Sequence, residues 1–174
     1  MRRLVPTALI ALVVLAFAAL AQAASAPVSV PPLFKHVLGK ARSRSGIAVR
    51  LPSRATFDVS RTTKLYATGG GSRGRYDLEL AAARNCGGAN ACFVASFTGE
   101  RAKHLGVRPN ARLARGIRGR FQPLSCGASC SPPSITWVQR GVRYDLQARI
   151  DAHGTSQRAA FIALANSAIT SRAR

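Results

Sequence analysis

Methionine is nearly missing from this chain: Met1 is the only one, beside three histidines, one tryptophan and six acidic residues in 174 positions. These shortages exclude chemistry. A soft-metal site combines Cys with His or Met, yet no histidine stands within 20 residues of Cys126 or Cys130. A redox pair is usually separated by two residues at a helix start, whereas three separate Cys126 from Cys130. His36, His104 and His153 fall in no metal-ligand spacing, so neither metal nor cofactor is expected. The H-E-x-x-H, G-x-S-x-G and phosphate-loop signatures are missing too, and no catalytic set announces itself. Beyond Leu20 no apolar run reaches the ~18 residues that a membrane helix needs.

What is present begins with Arg2 and Arg3, an uncharged apolar run over residues 4–20, and Ala21-Gln22-Ala23. That is the layout of a secretory signal peptide, with cleavage expected after Ala23. No cysteine lies near the junction to carry a lipid. The expected organisation is a signal peptide over 1–23, a leader and short helix over 24–45, and a single domain over 46–174. The expected localisation is secreted or extracytoplasmic, with no integral membrane span in the mature form. Losing Arg2 and Arg3 with the leader takes the formal charge from +20 to about +18. A charge of that size attracts anionic partners over long range. Twenty-two of the basic residues are Arg and four are Lys. This skew suits bidentate recognition of phosphate or carboxylate, although general basic composition accounts for it better.

Periodicity gives the elements. From Ser134 a strand with Ile135 and Trp137, an Arg140-Gly141 turn and a second strand with Tyr144, Leu146, Ala148 and Ile150 repeat apolar residues every second position. From Thr155 the period lengthens, and Phe161, Leu164, Ala165, Ala168 and Ile169 draw a helical stripe. Upstream, Leu33, Phe34, Val37, Leu38 and Ala41 predict a short helix from Pro32 to about Ala41, followed by a loop over 43–46. Strands are expected over 47–51, stopped by Pro52, and over 63–68. The run 69–74 matches G-x-G-x-x-G formally, but strand alternation follows it where a dinucleotide site needs a helix, so it is expected to be a hairpin loop. Tyr76, Leu78 and Leu80 then predict a strand, and Phe93, Ala95 and Phe97 another over 92–98. Arg75-Tyr76-Asp77-Leu78 recurs as Arg143-Tyr144-Asp145-Leu146, which chance or shared sheet geometry explains better than duplication. The fold class is therefore α+β, an antiparallel sheet of about six strands against a C-terminal helix and a short N-terminal one.

Between Arg101 and Arg120 lies a basic stretch expected to be a strand, with Leu113, Ile117 and Phe121 facing the core and Arg112, Arg118 and Arg120 the opposite side. With neighbouring Arg115 they make a candidate anion-binding surface, although a solvated face explains them better. Four cysteines in an exported chain imply disulfides, and four can pair in three ways. Glycines inside Cys86 to Cys92 and inside Cys126 to Cys130 favour the two local pairs. Loop entropy argues the other way, because a bridge between the clusters would contribute about 4 kcal/mol against ~2 for a small loop.

The Cys126-Gly127-Ala128-Ser129-Cys130 loop, Ile135-Thr136-Trp137 with Tyr144, and Ala165-Asn166-Ser167-Ala168-Ile169 resemble a group of small exported bacterial proteins of uncharacterised function, with Cys86 to Cys92 as the earlier signature. The resemblance spans about residues 75–170 and implies no activity. The layout of antiparallel strands backed by a helix is also similar to envelope lipoprotein-carrier and stress-sensor domains, a likeness of fold alone. The expected function is a non-enzymatic exported module binding an anionic polymer, whether cell-wall polymer, polysaccharide or nucleic acid. The alternatives are a secreted hydrolase of phosphodiesters or cell-wall material, using His104 and His153 with Glu100 or Lys103, and a carrier or sensor of an apolar ligand between sheet and helix.

Overall fold

A computed structural model describes residues 25–152 and 154–172. The signal peptide expected over 1–23 and His153 lie outside the described residues. In chain order the elements are β1 (Val28–Ser29), α1 (Val30–Leu33), α2 (Lys35–Ser45), β2 (Arg54–Ala55), β3 (Tyr66–Ser72), β4 (Arg75–Ala81), β5 (Phe93–Arg101), β6 (Ala111–Arg112), a 3-10 turn (Ala114–Gly116), β7 (Arg118–Gln122), β8 (Ser125–Cys126), β9 (Cys130–Ser131), β10 (Ser134–Gln139), β11 (Val142–Ala148) and α3 (Gln157–Thr170). Seven strands form one antiparallel sheet in the order β3-β4-β5-β11-β10-β7-β6, one more than the sequence suggests.

One face of this sheet is the core. Leu78, Phe97, Leu146, Ile135 and Phe121 are successive cross-strand neighbours, and all are buried. The adjacent row is Tyr76, Gly99, Tyr144, Trp137 and Gly119. Both helices cover this side. Phe34, at the junction of α1 and α2, meets Phe97 edge-on at 5.6 Å between ring centroids, and Phe161 of α3 meets Phe121 at 5.7 Å. The stripe read for α3 is accurate, with Phe161, Ala165, Ala168 and Ile169 buried and Leu164 half-buried. Ser156 starts that helix by accepting a hydrogen bond from the Ala159 amide.

Four local expectations give way to tertiary contacts. The N-terminal helix does not stop before 43–46: α2 runs to Ser45 and ends on Gly46, whose left-handed φ of 64° caps it. Residues 47–51 are not a strand. Ile47, Val49 and Leu51 are buried because the segment crosses the core face, where the Tyr144 hydroxyl donates to Ala48 O and the Arg50 amide donates to the Tyr76 hydroxyl. The strand expected over 63–68 is displaced to β3, and the glycine run lies inside it rather than in a loop. Gly71 permits a close approach of α2, since a Cβ there would stand 2.5 Å from Ala41 O. The hairpin turn falls instead at Arg73 and Gly74, the latter with φ 78°. Finally, the basic stretch is not one strand. It is β6 and β7 joined by the 3-10 turn, so Ile117 sits at the turn and is only half-buried.

Candidate anion-binding face

The sheet's second face carries the polar alternates of the core rows. Cross-strand neighbours share a face, and the registers place Arg75, Glu100 and Arg143 in one row on β4, β5 and β11. Asp77, Thr98, Asp145, Thr136 and Arg120 form the next, continuing onto β10 and β7. Arg112 and Arg118 pair across β6 and β7 and share the side of Arg120 by strand alternation. The face read from the sequence as a local cationic strip thus extends over six strands, roughly 24 Å at the usual strand spacing.

The repeated tetrapeptide organises its centre. Both copies flank β5 in the same register, so each residue does the same work twice. Arg75 and Arg143 approach Glu100 from opposite sides, Arg143 Nη2 at Oε1 and Arg75 Nη1 3.6 Å from Oε2. Tyr76 and Tyr144 both oppose Gly99 and both hold the segment that crosses the core face. Asp77 and Asp145 oppose Thr98, and Leu78 and Leu146 oppose Phe97. The two copies therefore have equivalent sheet surroundings. The repeat was also the signal that could have found Arg75 and Arg143, neither of which was singled out as an anion-binding residue.

Four of the six acidic residues of the chain, Asp77, Glu79, Glu100 and Asp145, sit on this face. The surface is therefore mixed in charge at its centre and purely basic at its β6–β7 end. Burial pushes the Asp145 carboxyl up from the usual range, opposed by the Thr136 hydroxyl, which donates to Oδ2 at 2.5 Å, and by nearby Arg143. Burial raises Asp77 as well, opposed by Arg75. Glu100 remains 34% exposed, with its two arginines at 59% and 40%. Ion pairs so open to water contribute on the order of 0–1 kcal/mol each.

Two hollows meet at that ion pair. One of about 660 Å³ lies over Thr98, Thr136, Arg120 and Asp145, bordered by Leu105, Val107 and Arg108 of the β5–β6 loop. The other, about 740 Å³, lies at the C-terminal end of α2 among Arg44, Arg73 and Arg101. Arg75 and Glu100 line both, and no aromatic ring lines either. Of the four arginines expected to bind, Arg120 borders the first hollow and also donates to Arg108 O at 3.5 Å. Arg112 and Arg118 are exposed beside it, and Arg115 projects from the 3-10 turn with φ 59°. Among the described residues the side chains of Arg112, Arg115 and Arg118 make no hydrogen bond or ion pair.

Of the residues considered for hydrolysis, Lys103 and His104 are exposed on the β5–β6 loop and His153 lies outside the described residues. His36 Nε2 lies 2.9 Å from Ala67 O and ties α2 to β3, while Glu100 is engaged by two arginines. Among the described residues no group of three His, Cys, Asp or Glu could hold a metal ion. The cysteines pair locally, Cys86 with Cys92 and Cys126 with Cys130, at Cα separations of 5.7 and 4.0 Å. Asn90 Nδ2 donates to Cys130 O at 2.9 Å and joins the two loops. An open apolar groove of about 240 Å³ runs between α3 and the β1–β2 ribbon, lined by Ala55, Ile150 and Leu164 among others. It lies beside the helix rather than between helix and sheet core. No helix among the described residues is long and apolar enough to cross a membrane. No protein-family model matches the chain, and neither a curated protein nor a solved structure is significantly similar to it.

Proposed function

We propose that this is an exported, non-enzymatic module that binds an extended anionic polymer of the cell envelope or extracellular space across the polar face of its sheet. One observation carries the reading: a file of guanidiniums from four strands shares the polar face of the sheet. It runs from Arg75 and Arg143 to Arg120, Arg118 and Arg112, and Arg44, Arg73 and Arg101 gather at its edge around the hollow beside α2. Spaced guanidiniums offer planar forks to repeating phosphate or carboxylate groups. The lack of aromatic rings in the hollows favours recognition through those charged groups rather than through stacked bases or sugars. Two disulfides suit an oxidising compartment.

The test compares Arg112→Glu, Arg118→Glu and Arg120→Glu together with a control triple outside the file, Arg42→Glu, Arg84→Glu and Arg172→Glu. Binding to poly(glycerol phosphate), polygalacturonate and single-stranded DNA is measured at two salt concentrations. Affinity released through counterions falls with salt, and every phosphate that the protein no longer neutralises flattens the logarithmic slope by about 0.7 to 0.9. The first triple should lose at least about tenfold more affinity than the control and show the flatter slope. Equal losses would mean that only net charge matters. Polymer cleavage by the purified protein, abolished by His104→Ala, would promote a hydrolase instead.

A further inference from the structure

Of the four acids on this face, Glu100 is the one that ion pairs join to two arginines. It stands at the junction of the two hollows, where a chain passing from Arg101 to Arg120 would have to cross it. Arginines from two copies of one tetrapeptide, in equivalent registers on either side of β5, each take one of its two carboxylate oxygens. The carboxylate is one-third exposed and its partners are more open still, so the interaction is weak and water-accessible.

We propose that Glu100 occupies the seat of one anionic group of the ligand, and that Arg75 and Arg143 form a two-armed clamp that the polymer takes over by displacing this carboxylate. The inference rests on the polymer-binding reading and adds the chemistry of its central subsite. The seat fits a singly charged group with two terminal oxygens, because each arm takes one oxygen. A phosphodiester and a carboxylate both satisfy this geometry. Displacement frees the Glu100 side chain to turn into solvent, while the two guanidiniums keep an anion between them. Glu100 therefore acts as a competitor tethered inside the site, lowering affinity and rejecting small isolated anions that cannot reach into both hollows at once.

The experiment compares Glu100→Gln with Asp58→Asn, which removes one negative charge outside this face. Titrations use poly(glycerol phosphate) as the phosphodiester arm and polygalacturonate as the carboxylate arm. A tethered competitor predicts that Glu100→Gln tightens binding at least about tenfold more than Asp58→Asn does, the size expected for freeing charge-assisted hydrogen bonds. That excess should vanish when Arg75→Gln and Arg143→Gln are added. Equal effects of Glu100→Gln and Asp58→Asn would overturn the proposal and leave the polymer reading intact, whereas a wild-type protein that binds neither polymer would overturn both. A second measurement needs no substitution: in the wild-type protein the Nε–H resonances of Arg75 and Arg143 should shift together as either polymer is added. Polymer binding that leaves both resonances in place would also overturn the clamp. Tightening for one polymer alone would identify which terminal-oxygen group the seat takes.

Discussion

Gly99 is the position where this architecture leaves least room. It faces Tyr76 on one side and Tyr144 on the other, and a Cβ built on it would collide with the Tyr76 ring, reaching Cζ at 2.9 Å and Cε1 nearer still. Tyr76 is buried and holds the Arg50 amide through its hydroxyl at 3.2 Å, so the ring has little freedom to withdraw. For Gly99→Ala, overpacking of this kind costs roughly 1–3 kcal/mol. Pushing the hydroxyl off the Arg50 amide adds about 1 kcal/mol. The reduced freedom of the unfolded chain returns ~0.5–1 kcal/mol. The net expectation is destabilisation of about 2 kcal/mol. Gly70→Ala is the control, because nothing lies within 4 Å of its Cβ position and it should be neutral or slightly stabilising. Urea unfolding followed through the emission of Trp137 measures both. In a Tyr76→Leu background the Gly99→Ala change should cost less than about 1 kcal/mol, since the ring edge is gone. If Gly99→Ala is as stable as Gly70→Ala, the steric argument is wrong.

Two further outcomes follow from the same geometry. Trp137 is 2% exposed and stacks on Tyr144 at 5.5 Å between ring centroids, so its emission should be blue-shifted in the native state. Trp137→Ala should cost about 3 kcal/mol, the low end for a buried aromatic, because it also removes a buried Nε1 donor that has no partner; a loss under about 1 kcal/mol would place the ring on the wrong face. Asp145 titrates above its ordinary value, chiefly through burial, so its protonated form favours the folded state and stability falls as pH rises from the ordinary carboxylate value toward the raised one. Asp145→Asn, which keeps an oxygen to accept from Thr136, should therefore gain stability relative to wild type at pH 7 and lose that advantage by pH 3. Equal wild-type and variant stabilities at both pH values, measured by urea unfolding, would refute the desolvated carboxylate.

The repeated tetrapeptide shows where sequence reading stops. Its alternation revealed two strands with Tyr and Leu turned inward, and these face the core as expected. That the two copies embrace a common strand depends on β11 returning beside β5 across some forty residues, a pairing that leaves no mark in either segment. The arginine face divides in the same way. Arg112, Arg118 and Arg120 were legible because alternation is local, whereas Arg75 and Arg143 joined them only through strand order. Glycine misled for a related reason. Gly71 belongs to a run expected to be a hairpin loop because strand alternation follows it, and its use is to let the backbone of α2 approach β3.

What the sequence determined by itself is therefore local: strand period in the β10–β11 hairpin, the helical stripe of α3, the two short cysteine loops and an excess of arginine. Each of these depends on backbone geometry within a few residues, where the side-chain pattern and the structure repeat together. The tertiary structure alone decided that residues 47–51 cross the core without pairing, that four acids gather among the arginines, and that Glu100 lies between Arg75 and Arg143. Those outcomes follow from which strands become neighbours, and that choice is made by burying one apolar face of the whole sheet under two helices, a term summed over the core and written in no single stretch of chain.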